Sequence, residues 1–307
     1  MGYRIGFDIG STTIKAVVLD ENNQICYKSY ERHKAQVRQK ALDKLVELKK
    51  YTKEPFKFAI SGSGALGLCE QGELPFVQEV FASATGVSKL YPETNCAIEL
   101  GGEDAKILFF QGSVEQRMNS TCAGGTGAFI DQMSTLLNMS LEEMNEASLN
   151  YHRLYPIASR CGVFAKTDIQ PLINQGVDKC DLCASIFQAV VDQTITSLAQ
   201  GRKIEGNILF LGGPLYFMSG LRKRFVETLK LSDVQVNCPE TAINFVALGT
   251  AICADQEYTY DELYKALEDL VHAPAKLTES KPLFESEEDY QKFIGRHKSH
   301  DAKYAKL

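Results

Sequence analysis

The sequence lacks the features that place a protein on nucleic acid, in a membrane or outside the cell. It has no long basic run, and 33 basic against 39 acidic residues give a net charge of -6, so we expect no nucleic-acid partner. No apolar run approaches the roughly 20 residues that cross a bilayer, and we expect no membrane partner. The N-terminus enters a strand pattern without the layout of a signal peptide. The nine cysteines are odd in number and scattered, unlike a secreted disulfide framework, so we expect a cytoplasmic protein.

Length and composition are those of a globular protein with room for two domains. The chain has 307 residues, of which 44% are hydrophobic and 23% charged, and this allows a sizeable core. Apolar periodicity predicts strands and helices along most of the chain. The predicted strands are residues 3–8, 14–19, 56–60 and 208–211 with a second hairpin at about 95–111, and the predicted helices are 36–50, 128–138, 183–199, 244–254 and 260–270.

A pattern that occurs twice is the most informative feature of the chain. In each copy a carboxylate, an aliphatic residue, a glycine, a short polar run and a lysine follow in the same order, and an apolar run comes next. The copies are Asp8, Gly10 and Lys15 within residues 6–18, and Glu99, Gly101 and Lys106 within residues 97–109. Two such copies suggest two related halves that each place a Gly-rich turn and a carboxylate on a shared cleft. That arrangement suits a nucleotide polyphosphate with its metal ion.

Glycine turns bind phosphates because their backbone N–H groups converge without side-chain obstruction. In the first copy Asp8 is placed to hold Mg²⁺ through water, since that ion keeps much of its hydration shell. The phosphate-binding residues of this copy are Gly10, Ser11, Thr12, Thr13 and Lys15. The second copy supplies the residues near the terminal phosphate: the backbone of Gly101 and Gly102, and the carboxylates Glu99, Glu103 and Asp104 for metal or attacking water.

Two further glycine-containing turns complete the predicted site. Gly212, Gly213 and Pro214 follow a buried strand and would let the adenosine lie against backbone. Gly125 and Thr126, in the Gly-rich turn before the helix at 128–138, are assigned to the same cofactor site. Each glycine pair taken alone is also explained as a tight hairpin turn. The two matching hairpins, together with a third glycine site in the expected order, favour nucleotide binding.

Several motifs resemble those of a known family. They are Ile9-Gly10-Ser11-Thr12, Leu100-Gly101-Gly102-Glu103-Asp104, Cys122-Ala123-Gly124-Gly125-Thr126-Gly127, Ser159-Arg160-Cys161-Gly162-Val163-Phe164-Ala165 and Ala247-Leu248-Gly249-Thr250-Ala251. Over roughly residues 3–254 the chain is similar to the ATP-dependent activators of 2-hydroxyacyl-CoA dehydratases and the ATPase subunits of benzoyl-CoA reductase. It looks closest to the activase-like module at the front of long multidomain versions. These proteins fall within the superfamily of acetate and sugar kinases, heat-shock chaperone ATPases and actin.

The resemblance implies an α/β fold with two ribonuclease H-like (actin-like ATPase) domains around a nucleotide cleft. We expect the first domain at residues 1–92 plus 243–255, the second, with the cluster cysteines, at 93–242, and a charged C-terminal extension or linker at 256–307. The chain departs from the family at two positions, since Glu99 stands where the family usually has Asp and Glu103 where it usually has Gln. The added length and charge bear on the hydrolysis rate and the metal geometry.

Cys122 precedes the predicted helix at 128–138 and Cys161 precedes a short helical stretch. The dipole of a helix favours a thiolate at its N-terminus. By spacing alone, each is explained as a buried, inert thiol. The resemblance places both at the family's cluster-ligand positions. A [4Fe–4S] cluster usually takes four thiolates, so two per chain imply a cluster shared between the two subunits of a homodimer. Cys180 and Cys183 form a Cys-x-x-Cys pair at a helix start where the family has other residues, and they are predicted to be structural.

The resemblance implies an ATP-dependent electron activator that uses ATP, Mg²⁺ and the shared [4Fe–4S] cluster. It would accept one electron from ferredoxin or flavodoxin and pass it to an iron–sulfur dehydratase or reductase partner. Two other functions stay open: a small-molecule kinase of the same superfamily without a cluster, and a non-enzymatic nucleotide-dependent scaffold. A kinase would need an acidic base in the cleft, such as Asp104 or Glu103.

Overall fold

The computed structural model describes residues 2–119, 124–158, 162–274 and 282–298. The strands are β1 (Arg4–Ile9), β2 (Thr13–Leu19), β3 (Ile25–Arg32), β4 (Phe56–Ser61), β5 (Cys96–Leu100), β6 (Ala105–Phe109), β7 (Glu115–Met118), β8 (Ile208–Leu211), β9 (Val236–Asn237) and β10 (Glu257–Tyr258). The helices are α1 (Val37–Glu47), α2 (Leu66–Gly72), α3 (Glu79–Leu90), α4 (Gly127–Leu137), α5 (Leu141–Leu149), α6 (Gly162–Asn174), α7 (Lys179–Thr194), α8 (Gly213–Phe217), α9 (Ser219–Leu229), α10 (Phe245–Cys253), α11 (Tyr260–His272) and α12 (Glu287–Lys298).

The strands form two five-stranded sheets with the same construction. The first has the order β10-β4-β1-β2-β3 and the second β7-β6-β5-β8-β9. In each sheet a central strand pairs antiparallel with its hairpin partner and parallel with a strand that comes later in the chain. The register puts the repeated motif on equivalent positions, because Asp8 lies opposite Lys15 and Glu99 lies opposite Lys106. The predicted mixed α/β fold with two matching halves is confirmed.

Helices α3 and α10 share one buried hydrophobic cluster with residues of both sheets. A Cβ atom on Gly249 of α10 would lie 2.0 Å from the carbonyl oxygen of Ala82, and one on Gly6 of β1 would lie 2.3 Å from that of Ala247. Helix α10 therefore packs backbone to backbone against α3 on one side and β1 on the other, which glycine alone permits. The helix predicted at 244–254 is present as α10.

The long helix of the second half begins earlier than predicted. Helix α7 starts at Lys179, because the Asp178 side chain accepts a hydrogen bond from the Cys180 backbone N–H at 2.7 Å and caps the helix. A π-helical turn extends it to Ala199. At 21 residues this helix is long and apolar enough to cross a membrane by length and composition, so the expectation that no stretch approaches that length was wrong. Of its most apolar window, 67% is buried in the fold, as in the core helix of a globular protein.

The first compact unit of the chain, Met1–Val271, reaches further than the sequence predicts. Strand β10 pairs antiparallel with β4, and α11 buries Leu263, Leu267 and Leu270 in the core beside the first sheet. These leucines recur at helical spacing and face one way. The extension predicted from residue 256 therefore begins after Val271 in the structure, because the intervening strand and helix bury apolar surface.

Candidate functional site

The first hairpin ends in a tight turn that lies beside a buried ion pair. Asp8 is 2% exposed at the end of β1, and its Oδ2 atom lies 2.7 Å from Lys15 Nζ on β2. The backbone N–H of Gly10 donates to the Thr13 carbonyl at 2.9 Å, which closes the turn and leaves its tip exposed. Burial alone would lower the pKa of Lys15, but the charge and hydrogen bond of Asp8, together with the nearby Glu99 and Tyr30, raise the pKa above its ordinary value. A charged lysine therefore lies beside the turn.

The second hairpin places one buried lysine among three carboxylates. Lys106 is 1% exposed, and its Nζ atom lies 2.8 Å from Asp104 Oδ2 and 3.4 Å from Glu99 Oε1. It also forms an ion pair with Glu79, the first residue of α3. Ser83 of the same helix donates its hydroxyl hydrogen to Glu99 Oε2 at 3.0 Å. Burial would lower the pKa of Lys106, but its carboxylate partners raise the pKa well above the ordinary value. Lys106 is therefore charged, and its single positive charge is shared among three carboxylates.

The two Gly-rich turns face each other. A Cβ atom on Gly102 would lie 3.4 Å from Thr12 Oγ1 and 4.0 Å from Ser11 Oγ. The charges also reach across, since the Glu99 carboxylate contributes to the raised pKa of Lys15. The structure therefore brings together the two motifs that the sequence repeats, as a shared cleft requires.

The start of α4 is hydrogen-bonded to the second turn. The N–H of Gly127 donates to the Gly101 carbonyl at 3.0 Å, and that of Ala128 donates to the Gly102 carbonyl at 2.8 Å. A Cβ atom on Gly127 would lie 3.3 Å from Pro214 Cγ. The second turn, the start of α4 and the turn at Pro214 therefore lie next to one another.

The third predicted turn lies beside two aromatic side chains. Gly212 has a φ of +87°, and a Cβ atom there would lie 2.0 Å from the Leu100 carbonyl oxygen, so this position requires glycine. A Cβ atom on Gly213 would lie 3.5 Å from Tyr30 Oη. The Tyr30 ring meets the Phe217 ring edge-on at 6.1 Å between centroids, and the two side chains are 38% and 56% exposed. No motif marks Tyr30, since it belongs to the alternating pattern of an ordinary strand.

Three of the predicted residues have surroundings that also suit a purely structural role. Glu103 is exposed near the tip of the second turn. Thr126 is fully buried directly before α4. Gly125 has a φ of +88°, and a Cβ atom there would lie 3.3 Å from Gln193 Cγ of α7, so the turn itself requires glycine.

Glu79 is a candidate functional residue that the sequence patterns do not reveal. Burial raises the pKa of its carboxyl group to about 7. The ammonium group of Lys106 opposes this shift, and three neighbouring carboxylates, including that of Asp8, add to it. A titratable group with such a pKa in a cleft is typical of a functional site. Its one sequence signal is an acidic residue in the first turn of a helix, which is common.

The carboxylates fit a magnesium site that substrate phosphates and water would complete. Over the ranges given above, the structure contains no group of three or more His, Cys, Asp or Glu residues that could hold a metal ion. Mg²⁺ does not need such a group, because it usually keeps several waters and takes one or two carboxylates together with phosphate oxygens. The buried carboxylate of Asp8, next to an exposed turn, suits this role.

Cys122 and Cys161 lie outside the described residues, but the helices that follow them are neighbours. Helix α4 begins at Gly127 and helix α6 at Gly162. A Cβ atom on Gly162 would lie 2.7 Å from Gln132 Oε1 of α4. The two cysteine segments therefore lead into adjacent helices.

The seven remaining cysteines are free thiols. Burial raises the pKa of Cys69, Cys96 and Cys183 to about 12. The pKa of Cys180 is also raised, by burial and then by Asp178. Thiols held in the protonated form are poor ligands and nucleophiles, which supports a structural role for the Cys-x-x-Cys pair.

Comparisons with known proteins agree with this geometry. A family model described as the BadF/BadG/BcrA/BcrD ATPase family matches residues 5–254. The chain is 28% identical over 258 residues to the activator of lactoyl-CoA dehydratase of Anaerotignum propionicum, which covers 82% of this chain and 97% of that protein. It is 27% identical over 256 residues to the (R)-2-hydroxyglutaryl-CoA dehydratase activating ATPase of Acidaminococcus fermentans, which covers 82% of this chain and 96% of that protein.

Solved structures share the fold. The activator of 2-hydroxyisocaproyl-CoA dehydratase from Clostridium difficile, solved with bound ADPNP, matches with a TM-score of 0.72 at 24% identity. The match covers 90% of this chain and 100% of that chain, and at this identity it establishes the fold. The resemblance drawn from the sequence motifs is confirmed. The chain belongs to the BadF/BadG/BcrA/BcrD ATPase family.

Proposed function

We propose that the protein is an ATP-hydrolysing electron activator that passes a low-potential electron to an iron–sulfur dehydratase-like or reductase partner. The observation that carries the proposal is that the turns of two equivalent hairpins face each other in a chain of this ATPase family. One nucleotide would then touch both halves of the molecule. The names of two relatives, both activators of acyl-CoA dehydratases, support the same role.

Mg-ATP would lie in the cleft with its phosphates between the two turns. The exposed tip of the first turn, at Ser11 and Thr12, would bind the polyphosphate through backbone N–H and hydroxyl groups, together with residues 10 and 13 that shape the turn. The Lys15 ammonium group would add a positive charge beside it. Asp8 would hold Mg²⁺ through water. The Gly101 and Gly102 backbone would approach the terminal phosphate.

The adenosine would lie along the third turn. Gly213 lacks a side chain, so the base could approach the backbone there. The exposed rings of Tyr30 and Phe217 lie beside it and offer apolar area for a planar base.

Hydrolysis needs an acceptor for a proton of the attacking water. As the water oxygen bonds to the γ-phosphorus, the bond from that phosphorus to the bridging oxygen of ADP breaks, and one water proton passes to a carboxylate. Glu79 suits this step, because a base acts best when its pKa lies near the working pH and burial raises its pKa to about 7. Its ion pair with Lys106 would orient the carboxylate.

Nucleotide can drive a conformational change only through different affinities for two conformations. The two turns belong to different sheets, so binding or loss of the terminal phosphate would shift the second turn relative to the first. The first residues of α4 are hydrogen-bonded to that second turn. The shift would therefore pass directly to the helix that follows Cys122.

Cys122 and Cys161 of each subunit would hold a [4Fe–4S] cluster between the two subunits of a homodimer. When bound, such a cluster supplies storage of one electron at a potential set by its surroundings. The dipoles of α4 and α6 would stabilise the thiolate ligands at their N-termini. The contact between Gly162 and Gln132 supports this proposal, since it keeps the two helices together. Ferredoxin or flavodoxin would supply the electron.

Iron and sulfide analysis of anaerobically purified protein tests the proposal. We expect a brown homodimer with about four iron and about four sulfide per dimer. Cys122→Ser and Cys161→Ser should each lose the visible absorption while circular dichroism reports a retained fold, and Cys180→Ser serves as the matched control that keeps it. Colourless, monomeric, iron-poor protein would contradict the proposal, and so would a full cluster in either of the first two variants.

Hydrolysis measured without any acceptor separates the activator from a kinase. An activator should turn over ATP slowly and steadily with the nucleotide and Mg²⁺ alone. Strict dependence on a sugar or a carboxylic acid, with phosphorylated product, would favour the small-molecule kinase instead.

A further inference from the structure

A buried histidine contacts the turn of the first hairpin. His33 directly follows β3 and is 4% exposed. Its backbone N–H donates to the Thr12 carbonyl at 3.2 Å, and its ring Nε2 atom lies 3.0 Å from the Gly10 carbonyl oxygen. One residue therefore holds two carbonyl groups of the turn that is proposed to bind phosphate.

The neighbours of the ring fix its tautomer. The Ala35 backbone N–H lies 3.2 Å from His33 Nδ1, and a backbone N–H can only donate, so Nδ1 carries the lone pair. The hydrogen is then on Nε2, which donates it to the Gly10 carbonyl. The neutral imidazole satisfies both contacts at once.

The chain turns sharply after His33 in an uncommon conformation. Lys34 and Ala35 have φ values of +47° and +62°, and the Gln36 N–H donates to the His33 carbonyl at 2.8 Å, as in a type I′ turn. Such turns favour Gly, Asn or Asp at both central positions, and neither central residue here is of those types. Strained backbone of this kind persists where surrounding contacts enforce it. Here the Ala35 N–H contact ties the turn to the imidazole ring.

The Gly10 carbonyl is also confined on another side. A Cβ atom on Gly64, in the connection between β4 and α2, would lie 2.7 Å from the Gly10 carbonyl oxygen. In a planar trans peptide the N–H points opposite to the C=O. The direction of the Ser11 N–H is therefore set by the place where His33 and Gly64 hold the Gly10 carbonyl.

We infer that His33 is a positioning residue for polyphosphate binding. It holds the Gly10–Ser11 peptide so that the donors of the turn point away from the imidazole and stay available to a ligand. The inference rests on the proposed nucleotide site. Its effect is confined to ligands with phosphates, because adenosine would lie against the turn at Gly213 in the other half.

Calorimetric titration of full-length variants with Mg-ATP, Mg-ADP and adenosine tests the inference. His33→Phe keeps the ring and removes both hydrogen bonds, and we expect about five- to tenfold weaker binding of both nucleotides with unchanged adenosine binding. His33→Gln places an amide N–H where Nε2 stood and should restore nucleotide binding to within about threefold of wild type. His33→Asn can accept from Ala35 but does not reach Gly10, so it should bind as weakly as His33→Phe. In the ATPase assay the phenylalanine variant should raise KM for ATP more than it lowers kcat.

Ala35→Gly is the control for the strained turn, because it keeps the imidazole and removes the strain of a positive φ at residue 35. It should bind Mg-ATP like wild type. Wild-type affinity in His33→Phe would overturn the inference, and so would an equal loss for adenosine and the nucleotides, which indicates general unfolding. Rescue by His33→Asn but not by His33→Gln would also overturn it. The contact with the Ala35 N–H, and not the one with the Gly10 carbonyl, would then be what binding requires. Wild-type protein that binds no Mg-ATP would overturn the nucleotide site itself.

Discussion

The two hairpins share a backbone design and differ in charge. In the first, Asp8 faces Lys15 and the two form a balanced pair at 2.7 Å. In the second, the equivalent Glu99 and Lys106 face each other in the same register, but two more carboxylates pair with the lysine. A duplicated fold therefore offers one balanced turn and one acidic turn to the same cleft.

The acidic turn suits a different task from the balanced one. Negative side chains repel a polyphosphate strongly in a cleft of low dielectric, so they are poor phosphate ligands. They suit a water that must lose a proton, because a carboxylate can accept it, whereas the metal ion is assigned to Asp8 of the first hairpin. We therefore expect the first hairpin to govern binding of phosphate and metal, and the second to govern the hydrolytic step.

Removal of the lysine from each hairpin in turn should give the largest contrast. Lys106→Met leaves three carboxylates in a buried site without their counterion, and we expect a loss of about 3–5 kcal/mol in the free energy of unfolding. Lys15→Met leaves the single carboxylate of Asp8 without its ion-pair partner and should lower the free energy of unfolding by about 2 kcal/mol. Urea unfolding measures both. Equal losses would show that the charge difference between the hairpins has no energetic weight.

Removal of a carboxylate from each hairpin should separate metal binding from chemistry. Asp8→Asn should lower the Mg²⁺-dependent kcat by about 100-fold or more, because the ion that neutralises the phosphates is no longer held, and added Mg²⁺ should restore part of the rate. Asp104→Asn should lower kcat with an unchanged Mg²⁺ requirement. Steady-state kinetics over a Mg²⁺ series decides this. Unchanged turnover in Asp8→Asn would remove that residue from the metal site.

Glu79→Gln tests the electrostatics of the acidic turn through the pH dependence of stability. Burial raises the pKa of Glu79 to about 7, so the folded protein keeps a proton that the unfolded chain releases at lower pH. The contribution of Glu79 to the free energy of unfolding is fully present below the unfolded pKa of 4.5. It is lost as the pH rises through the folded pKa of about 7. Glutamine does not titrate, so the free energy of unfolding of the variant relative to wild type should rise by up to about 3 kcal/mol across that window. Denaturant unfolding at several pH values measures this, and a flat difference would contradict the raised pKa.

Glu103→Gln should have the smallest effect. The side chain is exposed, so water screens its charge, and loss of that charge is worth less than about 1 kcal/mol. We expect ATP hydrolysis to become about two- to fivefold faster, because one negative charge near the terminal phosphate is gone. The measurement is kcat at saturating Mg-ATP. A large loss of activity would instead assign the carboxylate a direct part in the reaction.

Sequence patterns predict the hairpins well because their information is local. Alternating or continuous apolar runs around glycine turns mark the strand pairs at 3–8 with 14–19 and at 95–111. The helix at 244–254 is equally plain, since only small residues allow a helix to pack as closely as Gly249 does against α3. The start of α7 is set by the Asp178 cap, which the apolar pattern alone does not contain.

The arrangement of the site depends on contacts between distant parts of the chain, and those are not predictable from local pattern. Glu79 meets Lys106 across two elements, and no spacing rule joins them. His33 reaches the first turn because β3 lies beside β2 and then bends sharply. Tyr30 reaches Gly213 from the other half of the molecule. Each is an ordinary residue in sequence and acquires a role only when the fold brings its partner close.

A crystal structure of this chain with ADPNP and Mg²⁺ tests the division between the hairpins most directly. We predict the polyphosphate against residues 10–13, Mg²⁺ linked to Asp8 through water, and the terminal phosphate towards Gly101 and Gly102. A water in line with that phosphate should lie near Glu79. A nucleotide that touches only one hairpin, or a metal ion bound by Glu99 with Asp8 left uninvolved, would contradict the account.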